Sequence, residues 1–171
     1  MATVVSRSPL LRSLRRNYLR AAGAAALAPA LAANSALTAL NLSSNEIGGH
    51  WDGSEFVSTP EGPKAIADAL RVNGSLTSVD LSGNQLTNRG RDMTGIEQLA
   101  AALGVNGSLT ALDLSHNNLK DGGVSAVCEA IQSNKETKLS SLNFGYNGIG
   151  PVGANAVAAM VAATGSLTKM E

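Results

Sequence analysis

Few residues of this chain are of types that could do chemistry, and most of them have a plainer structural reading. Gly148-Ile149-Gly150-Pro151-Val152-Gly153 has the G-x-G-x-x-G spacing of a turn that cradles a pyrophosphate. Asn45-Glu46-Ile47-Gly48-Gly49 and Asn118-Leu119-Lys120-Asp121-Gly122-Gly123 repeat its setting elsewhere, and Pro151 removes one backbone N–H. The segment therefore reads as a recurring turn, and no cofactor is expected. The phosphate-loop pattern G-x-x-x-x-G-K-[ST] does not occur. Cys128 is the single cysteine. It takes a position held elsewhere by Ala28, Ala67, Ala100 and Ala158, which reads as a small buried helix residue. His50 and His116 lack a spaced set of cysteines or acids, so no metal site is expected. Asn41, Asn73 and Asn106 begin N-x-S sequons but fall in strands and turns, and read as unmodified. No catalytic residue is assigned.

The elements that must position these residues come from an internal repeat. LTALNLSSNEI from Leu37, LTSVDLSGNQL from Leu76, LTALDLSHNNL from Leu109 and LSSLNFGYNGI from Leu139 all fit L-x-x-L-x-L-x-x-N-x-L. A further copy starts at Leu167 and reaches Glu171. The first leucines, Leu37, Leu76, Leu109, Leu139 and Leu167, stand closer together with each step, and the shortest interval reads as the basic unit. Gly23, Gly62, Gly95, Gly123 and Gly153 each open a helical pattern. Aliphatics follow four and eight positions later: Leu27/Leu31, Ile66/Leu70, Leu99/Leu103, Val127/Ile131 and Val157/Val161. That spacing is one buried helix face. The joints from motif asparagine to next glycine are Asn45 to Gly62, Asn84 to Gly95, Asn117 to Gly123 and Asn147 to Gly153. The first two are longer than the last two, so they carry insertions. Leu14, Asn17, Leu19 and Gly23 extend the ruler backwards, and residues 9–19 read as a degenerate first repeat or cap.

Leu-x-Leu alternation sends both leucines to one face of a short strand. The asparagine that follows can bond backbone groups in the turn, and stacked asparagines would form a ladder. Asn73-Gly74 and Asn106-Gly107 sit where helices end, with glycine expected in the left-handed conformation. Each unit leaves apolar faces open on both sides, so only a stack is stable. The expected fold is an α/β solenoid, a curved horseshoe with parallel strands on the concave side and helices on the convex side.

On the concave face Asn41, Asp80, Asp113 and Asn143 are expected in one lateral row. Ala39, Ser78, Ala111 and Ser141 form a second, and Ser43, Ser82, Ser115 and Gly145 a third. His116 and Tyr146 fall at the edge, aligned with Ser44 and Gly83. Asp80 and Asp113 on neighbouring strands would repel, by roughly 1 kcal/mol or less in water, and a basic group on a partner would relieve them. The plainer reading is a solvated strand edge. The first insertion, His50 to Pro60, holds Trp51 and Phe56. It reads either as a loop whose rings cover a repeat edge or as a contact loop anchored by Trp51. The candidate partner-binding residues are thus Asp80, Asp113, His116, Tyr146 and Trp51.

Thirteen basic and thirteen acidic residues in a chain of 171 cancel, which gives no support for nucleic-acid binding. No apolar stretch reaches the length of a membrane span. One cysteine gives no support for secretion, and a cytoplasmic location is expected. The stretch from Met1 to Arg20 holds Arg7, Arg12, Arg15, Arg16 and Arg20 and no acid, which leaves an organelle transit segment or an anionic-surface contact open beside the cap reading. The chain divides into a basic N-terminal segment, 1–13, and a repeat domain, 14–171. It stops within a strand at Met170-Glu171, so a fragment, a truncated gene product or closure by self-association through that open edge is expected.

G-x-x-A-[LIV]-A-x-A-L…N-x-[ST]-L-T-x-L-[DN]-L-S-x-N-x-[IL] resembles the ribonuclease-inhibitor type of leucine-rich repeat, in the style of NOD-like receptor repeat regions. The resemblance covers about Leu14 to Glu171 and implies an αβ repeating unit and a non-catalytic scaffold that binds another protein. It names no partner. Similar repeats in the Ran GTPase-activating protein imply an alternative, a regulator that accelerates hydrolysis on a small GTPase.

Overall fold

A computed structural model describes residues 11–171. The expectations that rest on residues 1–10, including Arg7 and Pro9, lie outside the described residues. The order of elements is β1 (Leu11–Ser13), α1 (Arg20–Ala33), β2 (Ala39–Asn41), β3 (Gly49–Trp51), β4 (Phe56–Ser58), α2 (Glu61–Val72), β5 (Ser78–Asp80), α3 (Thr94–Leu103), β6 (Ala111–Asp113), α4 (Lys120–Ser133), β7 (Ser141–Asn143), α5 (Pro151–Ala163) and β8 (Lys169–Met170), with a 3₁₀ turn at Asn88–Gly90 between β5 and α3. Strands β1, β2, β5, β6, β7 and β8 form one parallel sheet in chain order. Each helix packs on its neighbour in sequence, so the molecule is a two-layer α/β solenoid. Among the described residues the first strand of the sheet is Leu11–Ser13, whose backbone pairs with 39–41.

The central residue of each interior strand points into the core: Leu40, Val79, Leu112 and Leu142 are all buried, as are Leu42, Leu81, Leu114 and Phe144 two positions on. The helices meet them with Leu31, Ile66, Leu70, Leu99, Leu103, Val127 and Ile131. The last expected pair departs from the pattern. Val161 is 46% exposed, and Met160 is the buried hydrophobic side chain of α5. Among the described residues no helix packs on the far side of α5, so its stripe has only one neighbour to meet. The glycine that opens a helix marks close approach, since a Cβ at Gly95 would lie 2.9 Å from Pro63 Cγ.

Two asparagine ladders hold the coils together. In the first, Asn84 Nδ2 donates to Leu81 O at 2.9 Å within its own turn and to Leu42 O at 3.0 Å in the preceding repeat. Asn45, Asn117 and Asn147 do the same. Each Oδ1 accepts the backbone N–H of the preceding asparagine, from Asn45 N to Asn84 at 2.9 Å, Asn84 N to Asn117 at 2.8 Å and Asn117 N to Asn147 at 3.0 Å. Among the described residues Asn17 is the first rung, giving its N–H to Asn45 Oδ1 while its own amide lies exposed.

The second ladder corrects the expected helix ends. Gly74 and Gly107 are not in the left-handed region. The helices stop instead on Asn34, Asn73 and Asn134 in extended conformation, and just before Asn106. Asn73 Nδ2 reaches back to Leu31 O at 2.7 Å, Asn106 Nδ2 to Leu70 O at 2.7 Å and Asn134 Nδ2 to Leu103 O at 2.7 Å. Each of these amides satisfies a carbonyl at the end of the previous helix, which leaves no need for a glycine cap. Outside both ladders, Thr77, Thr110, Ser140 and Thr168 hydroxyls each donate to the carbonyl of the equivalent residue one repeat earlier.

An unmet buried polar group costs about 1–3 kcal/mol. Asn117→Ala should therefore lower unfolding free energy by about 3 kcal/mol or more, whereas Asn17→Ala at the exposed rung should cost less than about 1 kcal/mol. Leu112→Asp, which buries an unpaired charge between repeats, should abolish the cooperative transition. Denaturant melts followed by circular dichroism check all three. Equal losses at Asn17 and Asn117 would contradict the ladder account.

Candidate protein-binding surface

The register aligns Asn41, Asp80, Asp113 and Asn143 across four adjacent strands. Asp80, Asp113 and Asn143, with Ser78, Ala111 and Ser141 beside them, line a shallow trough that also takes in Lys169 and Glu171. Each of the four side chains caps the turn that follows its strand. Oδ1 accepts the backbone N–H two positions on: Ser43 to Asn41 at 2.9 Å, Ser82 to Asp80 at 2.9 Å, Ser115 to Asp113 at 2.8 Å and Gly145 to Asn143 at 2.8 Å. This bond pulls the third expected row inward, and Ser43 and Ser115 are buried rather than presented on the face.

The acid pair is flanked by amides. Asn41 Nδ2 donates to Asp80 Oδ2 at 2.8 Å, and Asn143 Nδ2 donates to Asp113 Oδ2 at 3.1 Å. Part of the expected repulsion is thus met within the chain. A carboxylate has about four lone-pair sites. Asp113 uses two of them, on Ser115 N and Asn143 Nδ2. Asp80 uses three, on Ser82 N, Ser82 Oγ and Asn41 Nδ2. Both retain capacity toward the trough, and neither makes a salt bridge among the described residues.

His116 and Tyr146 stack at the loop edge, with ring centroids 4.2 Å apart and planes at 12°. Tyr146 is 82% exposed. Both residues hold positive φ, 56° each, as does Ser44 at 55°, which places them on the outward corner of the same turn in successive repeats. Trp51 is not part of this surface. The insertion that carries it is an antiparallel hairpin, β3 with β4, rather than an irregular loop. There Trp51 meets the edge of Phe56 at 5.8 Å and the guanidinium of Arg89 at 5.1 Å.

The second insertion, around Asn88–Gly90, packs on the first. Ser58 Oγ donates to Asp92 Oδ2 at 2.7 Å. That hydroxyl, and secondarily the N–H of Thr94, hold the Asp92 carboxyl below its usual range against the opposing effect of burial. Its contribution to stability is fully present above the ordinary aspartate value and is lost as pH falls through the lower folded one. The sequence carries no signal for Arg89 or Asp92, because contacts between insertions of different repeats follow no period.

The other chemically suggestive groups are accounted for by bonding. Asp121 Oδ1 accepts the N–H of Gly150 at 2.6 Å and of Gly153 at 3.0 Å. The amides that would face a pyrophosphate are therefore already held by a carboxylate, which would itself repel one. Asn41, Asn73 and Asn106 all have the amide nitrogen engaged, so the sequons are closed in the folded chain. Among the described residues no three His, Cys, Asp or Glu side chains gather as a metal site, and no helix is long and apolar enough to cross a membrane.

A family model described as "Leucine Rich repeat" matches residues 33–49, 72–93, 105–128 and 135–158, just over half of the chain. The chain belongs to the leucine-rich-repeat family. Among solved structures, actin-binding site 2 of leiomodin-1 matches with a TM-score of 0.68 at 18% identity, over 91% of this chain and 81% of that one. The C-terminal domain of Caenorhabditis elegans tropomodulin matches with 0.64 at 11% identity, over 89% and 81%. The leucine-rich repeat-containing protein LegL7 of Legionella pneumophila matches with 0.56 at 20% identity, over 94% of this chain and 55% of its own. At these identities the likeness concerns the fold alone. No curated protein matches the sequence.

Cys128 is fully buried, and burial, reinforced by the charge of Glu129, pushes its thiol up to about 11. At pH 8 only about one molecule in a thousand would carry the thiolate. The native protein should leave a disulfide reagent such as DTNB essentially unreacted at that pH, and the denatured chain should titrate one thiol. Fast reaction of the folded protein would contradict the buried placement.

Proposed function

We propose that the chain is a non-catalytic protein-interaction module of the ribonuclease-inhibitor type, and that a basic segment of its partner lies in the trough over Asp80 and Asp113. One observation carries this reading. Asn41 and Asn143 close their turns with the same Oδ1 bond, at 2.9 and 2.8 Å, that Asp80 and Asp113 use at 2.9 and 2.8 Å. The turn needs an oxygen, not a charge. The two charges are therefore surplus to the turns, although each Oδ2 also accepts a neighbouring amide, and they sit side by side on paired strands. A guanidinium laid between them would meet two carboxylates with free lone pairs.

Other features support the same reading. The trough floor is made of Ser78, Ala111 and Ser141, small enough to admit an extended chain. His116 and Tyr146 add an exposed aromatic pair on the next turn, and tyrosine is a frequent interface anchor. A helix in every repeat, and the short unit from Leu139 to Leu167, suit the ribonuclease-inhibitor type. A protein partner accords with the leiomodin-1 structure, whose name describes an actin-binding site on a solenoid of like build. The non-catalytic reading rests on groups already committed elsewhere: a protonated buried thiol at Cys128, and glycine amides held by Asp121.

The experiment measures binding of a fluorescein-labelled Arg-Gly repeat peptide by anisotropy. Asp80→Asn/Asp113→Asn keeps the turn bonds but removes the Oδ2 acceptors of the Asn41 and Asn143 amides, so it should weaken binding by about tenfold or more while the cooperative melting transition is retained at a lower midpoint. Raising salt should weaken the parent in the same direction. Equal affinity of parent and double variant would overturn the assignment.

A further inference from the structure

The row that carries Asp80 and Asp113 has a further member on β8. That strand pairs with β7 through Ser141↔Lys169 and Leu142↔Met170. Bonds from Glu171 N to Leu142 O at 3.1 Å and from Phe144 N to Glu171 O at 2.7 Å carry the pairing one residue further. Glu171 therefore stands where Asn41, Asp80, Asp113 and Asn143 stand in earlier repeats, and Lys169 stands where Ala39, Ser78, Ala111 and Ser141 stand. Side chains two apart on a strand share a face, and both residues line the trough. On β2, β5, β6 and β7 the position of Lys169 holds nothing larger than serine, whereas on β8 it holds a long cation.

Lys169 Nζ donates to Glu171 Oε1 at 2.6 Å, with both side chains more than half exposed. The ammonium is held above the ordinary lysine range, first by that bond and then by the Glu171 charge, against the opposing effect of desolvation, and the charge of Asp113 adds to it. Glu171 thus differs from Asp80 and Asp113, which make no salt bridge among the described residues. The chain neutralises the last carboxylate of the row and leaves the other two available. Strands stand about 4.8 Å apart, so β8 lies about 10 Å from the strand of Asp113. That is close to the Debye length of about 8 Å at physiological salt. The Lys169 charge is therefore felt by a cation seated on Asp113, and more strongly by one that passes toward β8. An exposed pair of this kind contributes little to stability, so its charges can be changed without removing the fold.

We propose that Lys169 is a specificity-determining residue of the trough, which occupies the carboxylate of Glu171, confines the partner's cation to Asp80 and Asp113, and disfavours a second basic residue of the partner over β8. The inference rests on the reading that a basic segment lies in the trough, and it deepens that reading by setting where along the row the positive charge is accepted. Discrimination here comes from a repulsive element built beside an attractive one. Lys169 on Glu171 is also the chain's own instance of a cation held by the row, at the one place where the column beside the acids carries a side chain long enough to reach them.

The test titrates the full chain into the fluorescein-labelled Arg-Gly repeat peptide at low salt, with anisotropy as the readout. Lys169→Gln, which removes the repulsion and releases Glu171, should raise affinity by about threefold or more. Lys169→Arg should bind as the parent does. Glu171→Gln leaves the ammonium without its carboxylate and should lower affinity. Lys64→Gln removes a lysine paired with Asp68 on α2, away from the trough, and should leave affinity unchanged, which separates the local effect from a change in net charge. A peptide with one central arginine pair and glutamine in place of the outer arginines should gain less from Lys169→Gln than the repeat peptide does. Equal affinity of the parent and a folded Lys169→Gln chain for the repeat peptide, or an equal gain in Lys64→Gln, would overturn the role of Lys169 while leaving the trough assignment standing. Failure of the parent to bind the repeat peptide at all would overturn both.

Discussion

The solenoid depends on a backbone problem that recurs at every corner. A coil that turns from strand to helix and from helix to strand buries carbonyl and N–H groups that no regular element pairs. Each such group left unmet costs about 1–3 kcal/mol, and a corner holds several. The asparagine side chain solves this because it carries two donors and an acceptor on one short, rigid plane. Asn84 spends its donors on Leu81 O and Leu42 O and its acceptor on Asn45 N, so its bonds cross the boundary between repeats. Asn73 does the corresponding work at the opposite corner, on Leu31 O and Asn34 O. Leucine burial supplies the driving force, but it is the ladders that fix register, because they are satisfied only when the neighbouring coil stands one strand away.

Much of this is legible in the sequence, and what is hidden has physical reasons. The strand-to-helix ladder follows from one asparagine at a fixed place in four aligned motifs, and the leucine rows follow from alternation. The helix-to-strand ladder is masked by a familiar local signal. Asn73-Gly74 reads as a glycine-capped helix end, but tertiary bonds from the side chain of Asn73 make that cap unnecessary. The helix stripe holds through Ile131 and fails at Val161, because periodicity reports which face can be buried and not whether a neighbour is there to bury it. Of the candidate surface, the row of Asp80 and Asp113 follows from register alone. The Trp51–Arg89 contact does not, since it joins residues of different insertions.

The trough shows how a repeat protein separates structural polarity from available charge. Four equivalent residues make one turn bond each, and two of the four are amides. Comparison within a single chain thus isolates what the turn requires. Asn at position 41 and Asp at position 80 make the same Oδ1 bond and differ in the second atom, a donor in Asn41 and an acceptor in Asp80, which pair with each other. Similarly, the glycine run at 148–153 invites a phosphate reading until the donors are traced to Asp121, a residue of the preceding helix. In both cases the decisive fact is where each hydrogen bond goes rather than which residue types are nearby.

Insertions are not spread evenly around the coil, and the ladders explain why. At the helix-to-strand corner the spans Gly23 to Leu37, Gly62 to Leu76, Gly95 to Leu109 and Gly153 to Leu167 are equal in length, and only Gly123 to Leu139 is longer. The asparagine there must reach the previous helix and cap the next strand at once, so chain length is tightly bound. In the longer unit Asn134 Oδ1 reaches Glu136 N, and the N–H of Leu139 turns to Thr137 Oγ1 at 3.4 Å, a makeshift for the bond its neighbours make to asparagine. After the motif asparagine the turn is already closed, and the chain is free until the next helix glycine. Lengthening a loop there costs little, about 0.6 kcal/mol per doubling. The hairpin and the Asn88–Gly90 turn both occupy that stretch, in adjacent repeats, where they can pack on one another without disturbing a rung. The variation available for recognition is therefore confined to the two places the ladders leave free: the outward side of the strand row, and the span between asparagine and glycine.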